Sequence, residues 1–318
     1  MIIAGTKNAK EGINEGMKVL KNGGTAVDAV ETAVRVVEDN PFDWSVGYGG
    51  FPNLLGNVEL DAAIMSGKTL NAGAVAGITH YKHPISIARK VMEATPHVFL
   101  IGKGAEHFAD LHGFVRQDLL TEQSKRGYER FKEGKIPILT RRKNPSKEEK
   151  EKAVKWMQNY LERNELRTFY DRYHLVKHGT VNVIAKDAQG NISVGVSTSG
   201  IPLKLPGRVG DTPIIGAGVY ADNRTGGTAC VGHGELSMRS LTAKSVNLYY
   251  HQGYPIQEAC TKAISDLSAI HPESGITVLS LDKHENAYSI GNKRTPTYFV
   301  MDEEHTKPKK RKGEKVNL

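Results

Sequence analysis

The chain changes character at Thr180, and that change limits the folds open to it. From about residue 117 to Lys177 it is polar, charged and rich in helix formers. From Thr180 onward the texture is that of a sheet. Val181–Lys186 and residues 192–196 are apolar runs rich in Val and Ile. They are joined by Asp187-Ala188-Gln189-Gly190-Asn191, which predicts a hairpin. Such a hairpin leaves Thr180 at the head of one strand and returns Thr198 beside it at the end of the next.

Upstream, helical and extended patterns alternate. Ile13, Met17 and Leu20 recur at helical spacing, and Asn22-Gly23-Gly24 supplies a stop. Thr25 with Asp28 forms a capping signature. Val27, Val30, Val34 and Val37 then make an apolar stripe that ends at Asn40-Pro41. Residues 58–65 read as a strand, and Pro84 opens another helix. Residues 117–177 read as a linker with an embedded surface helix, capped by Ser146 and Glu149 and striped by Ala153, Trp156, Met157, Tyr160 and Leu161. Helices are expected after Glu235 and after Pro255, with closing strands at 276–281 and 287–290. Helix pairs flanking two sheet-forming halves predict a layered α+β sandwich.

The formal net charge of +8 invites a nucleic-acid reading. Much of the excess lies in residues 132–155 and in the tail at 307–312, which read as solvated segments. No aromatic-interleaved basic face accompanies them, so nucleic acid is not the expected partner. No apolar stretch approaches the roughly 20 residues that span a bilayer. The N-terminus has no secretory pattern, and Cys230 and Cys260 are the only cysteines; together these predict a cytoplasmic protein without a disulfide framework. The histidines show no metal-ligand spacing, so neither metal nor cofactor is expected.

Thr180 is the candidate nucleophile. A Thr hydroxyl needs a base, and an α-amino group with a pKa of about 7.7–8 can be one. A chain cut between Gly179 and Thr180 would place both groups on one residue. Thr198 can hydrogen-bond the nucleophile. Arg208 and Asp211, three apart in a Gly-flanked loop, suit the carboxylate and ammonium of a free amino acid. The bland alternative for that pair is a local Arg–Asp salt bridge. Gly232 and Gly234, in Val231-Gly232-His233-Gly234-Glu235, can present N–H groups to an oxyanion, and His233 reads as a surface or supporting residue.

Together with Ser45-Val46-Gly47-Tyr48-Gly49-Gly50, Leu60-Asp61-Ala62, Gly73-Ala74-Val75, residues 88–93 and residues 207–222, these positions resemble the N-terminal nucleophile hydrolases of the asparaginase 2 family. The Gly-Tyr-Gly-Gly form favours its glycosylasparaginase branch. The resemblance implies a four-layer αββα sandwich and self-cleavage between Gly179 and Thr180. The products would be an α chain, 1–179, and a β chain, 180–318, forming one structural domain, with two such units paired as a homodimer. It makes Thr180 the nucleophile, Thr198 its hydroxyl partner, Arg208 and Asp211 the substrate clamp and Gly232 an oxyanion donor. The implied reaction is hydrolysis of an asparagine side-chain amide, with N4-(β-N-acetylglucosaminyl)-L-asparagine leading and L-asparagine and β-aspartyl peptides as competitors.

Three positions depart from the family pattern. Val231 stands where the family has a Thr, Asn182 where it has a Gly, and Gly179 where the branch has an Asp. Ala4-Gly5-Thr6-Lys7-Asn8 also lacks the branch's pocket Trp. Asn182 is expected to add bulk beside the nucleophile, and the pocket to be open or differently selective. These departures carry a rival reading, a catalytically weak or inactive relative that serves as a binding or structural protein.

Overall fold

The structure is a computed structural model that describes residues 1–132, 179–270 and 275–316. The chain starts with strand β1 (Ile2–Thr6), a 3-10 turn (Lys7–Ala9) and helices α1 (Lys10–Lys21) and α2 (Ala26–Glu38). It continues through β2 (Leu60–Ser66), β3 (Ala72–Ile78), α3 (Pro84–Ala94), β4 (Phe99–Ile101), α4 (Gly102–Leu111) and α5 (Glu122–Lys132). The second part holds β5 (Val181–Lys186), β6 (Ile192–Thr198), β7 (Val219–Asp222) and β8 (Gly226–Gly232). Helices α6 (Gly234–Ser240), α7 (Thr242–His251) and α8 (Ile256–Ile270) follow. The last strands are β9 (Ile276–Asp282), β10 (Ala287–Gly291), β11 (Thr297–Asp302), β12 (Lys309–Lys312) and β13 (Glu314–Lys315).

Two sheets form, an eight-stranded one ordered β12-β11-β1-β5-β6-β2-β3-β4 and a five-stranded one ordered β13-β10-β9-β8-β7. Alternate residues of β5 explain why its run is apolar throughout. Val181, Val183 and Ala185 pack with Val30, Val34 and Ile85 of α2 and α3, whereas Ile184 packs with Ala229, Leu279 and Leu281 of the second sheet. A strand buried on both faces has no polar alternation to show. A third apolar cluster joins Val278 and Ile290 of the second sheet to Leu236, Val246 and Ile264 on α6, α7 and α8.

The capping box opens α2 as expected: Asp28 N–H donates to Thr25 Oγ1 at 3.2 Å and Thr25 N–H to Asp28 Oδ2 at 3.0 Å. Glu38 closes the helix and is fully buried, accepting the Ile85 N–H from the first turn of α3 at 3.1 Å. Burial pushes its carboxyl up to about 8, so it is neutral near pH 7 and joins the two helices without an interior charge.

Two expectations need correction. Residues 117–132 are not a featureless start to a linker. Leu119 is buried and its carbonyl accepts the Gly49 N–H at 2.8 Å, while Tyr128 on α5 donates to the Leu54 carbonyl at 2.9 Å. The expected helix capped by Ser146 lies outside the described residues. The basic tail is likewise not a free tail. Residues 309–312 pair antiparallel with β11, and 314–315 pair parallel with β10, so one short segment borders both sheets. Its lysines remain exposed along that edge, where they discourage pairing with another chain.

Strand β1 lies between β11 and β5, so residues from both sides of Gly179 are interleaved in one sheet. Among the described residues no helix is long and apolar enough to cross a membrane.

Candidate active site

The hairpin register places the expected nucleophile and its hydroxyl partner together. Val181 pairs with Ser197, so Thr180 and Thr198 follow on adjoining strands. Thr198 Oγ1 donates to the Gly179 carbonyl at 2.9 Å and accepts the Gly200 N–H at 3.0 Å. A hydroxyl therefore rests on the carbonyl of the Gly179–Thr180 peptide, where negative charge would develop if that carbon were attacked. Gly179 is held tightly on its other side. A Cβ at that position would stand 1.7 Å from Ser45 Oγ, which only glycine avoids.

Ser45 comes from the loop after α2. Its hydroxyl donates to Asp43 Oδ1 at 2.5 Å, and its N–H donates to the same oxygen at 3.0 Å. Asp43 Oδ2 accepts the Asn8 amide at 2.9 Å, and Asn8 Oδ1 accepts the Thr6 hydroxyl at 2.8 Å. Thr6 Oγ1 in turn accepts the Asn182 N–H at 3.0 Å and lies 3.4 Å from the Thr180 carbonyl oxygen. A belt of polar contacts from β1, the 3-10 turn and the 43–45 loop thus encircles the Gly179–Thr180 junction. The sequence reading assigned no role to Thr6, Asn8, Asp43 or Ser45. Ser45, Thr6 and Asn8 lie in stretches compared with the family pattern, and Asp43 lies in none.

Thr180 opens into a cleft of about 840 Å³. Val231 and Thr277 line it beside Thr180, and these two are cross-strand neighbours on β8 and β9. Val231 has no hydroxyl, but Thr277 brings one to the same wall. Trp44, Phe42 and Phe51 give the cleft an aromatic side, and Lys7 and Arg294 give it basic groups. The absent N-terminal Trp therefore does not leave the pocket without one, because Trp44 enters from a different loop. Asn182 does not crowd this cleft either. Its side chain is fully buried and donates to the Cys230 carbonyl at 3.0 Å, tying the first sheet to the second.

Arg208, Asp211, Gly232 and Gly234 are not among the residues that line that cleft; Gly232 ends β8 and Gly234 opens α6. Arg208 Nη1 would lie 3.4 Å from a Cβ at Gly200, the residue whose N–H meets Thr198. The local Arg208–Asp211 salt bridge is not what forms. Arg208 instead pairs with Glu235, whose Oε1 lies 2.9 Å from Nε and 2.8 Å from Nη2. Burial pushes the Glu235 carboxyl up, but the Arg208 charge outweighs it and the net shift is downward. His233 Nε2 stands 3.3 Å from the other Glu235 oxygen. Nη1 of Arg208 keeps no hydrogen-bond partner among the described residues.

Asp211 is the complementary half. It is 5% exposed, and its Oδ2 has no hydrogen-bond partner among the described residues. Burial pushes its carboxyl up to about 6, against the downward pull of Arg208. Gly234 serves Asp211: a Cβ there would come 2.6 Å from the Asp211 nitrogen and 2.7 Å from its Oδ1. Gly232 ends β8 opposite Ile276 with φ of +143°. An unpaired guanidinium nitrogen and an unpaired buried carboxylate oxygen on one short loop are complementary to a zwitterion.

Residues 3–306 match the family Asparaginase_2, described as asparaginase. The chain is 42% identical over 256 residues to an N(4)-(β-N-acetylglucosaminyl)-L-asparaginase of Elizabethkingia miricola, covering 80% of this chain and 66% of that relative, just under two thirds. It is 40% identical over 302 residues to a plant-type L-asparaginase of Pyrococcus horikoshii, covering 95% and 91%. It is 40% identical over 263 residues to an isoaspartyl peptidase/L-asparaginase of Mus musculus, covering 80% and 70%.

Proposed function

Because the chain belongs to the Asparaginase_2 family of amidohydrolases, we propose that it is a self-processing threonine amidohydrolase acting on the side-chain β-amide of asparagine derivatives. The observation that carries this reading is the Thr198 hydroxyl on the Gly179 carbonyl at 2.9 Å, one peptide from the Thr180 nucleophile. Cutting that peptide divides the chain into 1–179 and 180–318, frees the Thr180 amine as a base and leaves both pieces interleaved in one αββα sandwich. Two such units would form the assembly.

In turnover, Arg208 takes the substrate α-carboxylate and Asp211 its α-ammonium, which fixes the β-amide toward Thr180. The Thr180 amine removes the hydroxyl proton as Oγ1 attacks the amide carbon. On this reading Thr198 and the Gly232 N–H stabilise the oxyanion. The amine then protonates the leaving nitrogen, and water hydrolyses the aspartyl ester. No metal or cofactor is required by these steps.

The leading substrate is N4-(β-N-acetylglucosaminyl)-L-asparagine. The cleft is far larger than the departing ammonia of L-asparagine needs, and Trp44 offers a sugar an apolar face. A second reading rests on Lys7 and Arg294, which suit the carboxylate of a β-aspartyl peptide's leaving residue. Hydrolysis of the glycosylated asparagine, a β-aspartyl dipeptide and L-asparagine at matched concentrations separates the readings by their kcat/KM values. If all three go uncleaved by the processed protein, the activity assignment is wrong.

Two variants refine the picture. Thr198→Val is expected to slow cleavage of the 179–180 bond about a hundredfold, as loss of one oxyanion donor does, while leaving the fold intact. Chain mass against time measures it. Val231→Thr restores the family hydroxyl, and at least a tenfold gain in kcat is expected. No turnover in either form would favour the rival reading of a binding or structural relative.

A further inference from the structure

Self-cleavage raises a problem that the turnover mechanism does not solve. Before the cut, the Thr180 nitrogen is an amide and cannot act as a base, and Gly179 carries no side chain to replace it. We propose that Asp43, acting through the Ser45 hydroxyl, is the proton acceptor of the self-cleavage step. The inference rests on the self-processing reading and extends it to a group that reading leaves unassigned.

Three observations support it. Ser45 Oγ is packed directly against Gly179, as the 1.7 Å distance to a built Cβ shows. That hydroxyl donates to Asp43 Oδ1, so its own lone pairs are turned to accept a proton from elsewhere. Among the described residues that line the cleft with Thr180, Asp43 is the only carboxylate; the other ionisable groups there are Lys7, Arg294 and Tyr298. The remaining candidates are engaged elsewhere. Glu235 is held by Arg208 and His233, and neither it nor Asp211 lines that cleft.

Asn8 completes the device. Its amide donates to Asp43 Oδ2, fixing the carboxylate plane so that Oδ1 faces Ser45. Asp39, in the same region, is paired with Lys82 and His83, whereas Asp43 faces only the neutral Ser45 and Asn8 in its hydrogen bonds. The carboxylate touches no reacting atom itself. Asp43 is a positioning and relay residue, and Ser45 is the group at the junction.

Thr180 Oγ1 attacks the Gly179 carbonyl carbon, and its proton passes to Ser45 Oγ as the Ser45 proton passes to Asp43. The C–O bond forms, and the C–N bond breaks as the same proton returns by that route to the Thr180 nitrogen. The result is an ester between Gly179 and the Thr180 hydroxyl. Water then splits the ester, giving the Gly179 carboxylate, restoring the Thr180 hydroxyl and leaving a free amine that takes up the released proton.

The test uses freshly purified full-length protein with Asp43→Asn and Ser45→Ala, followed by intact mass over time. Wild type must cleave, or the self-processing reading itself fails and this inference falls with it. Given cleavage, Asp43→Asn is expected to slow it at least a hundredfold, the usual scale of acid–base assistance. Wild-type cleavage should fall more steeply with falling pH than the residual Asp43→Asn cleavage. The charged groups that line the cleft with Asp43 are Lys7 and Arg294. Asp43→Glu should recover part of the rate and its pH dependence, which a purely structural role would not require. Hydroxylamine, which attacks esters, should fail to rescue Asp43→Asn, because the missing step precedes the ester. Cleavage of Asp43→Asn at the wild-type rate, a slow variant that keeps the wild-type pH profile, or full rescue by hydroxylamine would each overturn the proposal.

Discussion

A Thr180→Ala protein is expected to remain a single chain and to hydrolyse none of the three amides above background. The expected loss is at least about 10⁴-fold in both reactions, since removing a nucleophile removes the step and not merely a contact. The neighbouring machinery should survive the change. Thr198 would still meet the Gly179 carbonyl, Ser45 would still meet Asp43, and the hairpin register does not depend on the Thr180 side chain. Among the described residues the Thr180 hydroxyl makes no hydrogen bond, so its loss strands no partner. Melting temperatures of variant and wild-type precursor should therefore agree closely, and a large drop would mean that lost activity reflects lost structure. Thr180→Ser, which keeps a hydroxyl but sheds a methyl, should cleave and turn over more slowly than wild type and far faster than Ala.

Asp211→Asn is expected to lower kcat/KM by about 10²–10⁴, mainly through KM, while making the protein more stable at neutral pH. The first effect follows from removing one partner of a buried charge pair, worth about 3–5 kcal/mol. The second follows from linkage. The folded pKa of about 6 lies above the model-peptide value of 3.8. Between those values the folded state holds a proton that the unfolded state has lost, so stability falls as pH rises through the window and stays lower above it. An uncharged Asn avoids that cost but leaves an amide short of one acceptor, for a net gain of about 1–2 kcal/mol. The stability gap should close below about pH 4, where wild-type Asp211 is protonated in both states. For the wild type, kcat/KM should decline as pH drops through about 6, because a neutral Asp211 no longer attracts an ammonium. A variant less stable than wild type at pH 8 would contradict the view that the site stores an unfavourable charge for binding.

Legibility in the sequence followed how local each feature was. The β5–β6 hairpin was readable because two apolar runs flank a five-residue turn, and that register alone brings Thr180 and Thr198 together. The capping box of α2 was readable because all its atoms lie within four residues. Strand β12 was not, because Lys309-Lys310-Arg311-Lys312 has no strand propensity of its own and is extended by pairing with β11. The belt around Gly179 was hidden for a related reason. Asn8 and Asp43 are 35 positions apart, and Thr6 and Asn182 are 176 apart; no spacing announces such pairs. The Arg208–Glu235 pairing was missed because the nearer acid, Asp211, drew the reading toward a local contact, whereas α6 presents Glu235 in its first turn. Val231 looked like a missing donor, and the cross-strand Thr277 became visible only through the β8–β9 register.

The measurement that tests the central claim most directly is the intact mass of freshly purified protein, repeated after incubation at neutral pH. Two fragments, dividing between Gly179 and Thr180 and summing to the starting chain plus one water, are the predicted result. A single undivided mass that persists under those conditions would contradict the account, because Thr180 would never gain the amine on which its chemistry depends.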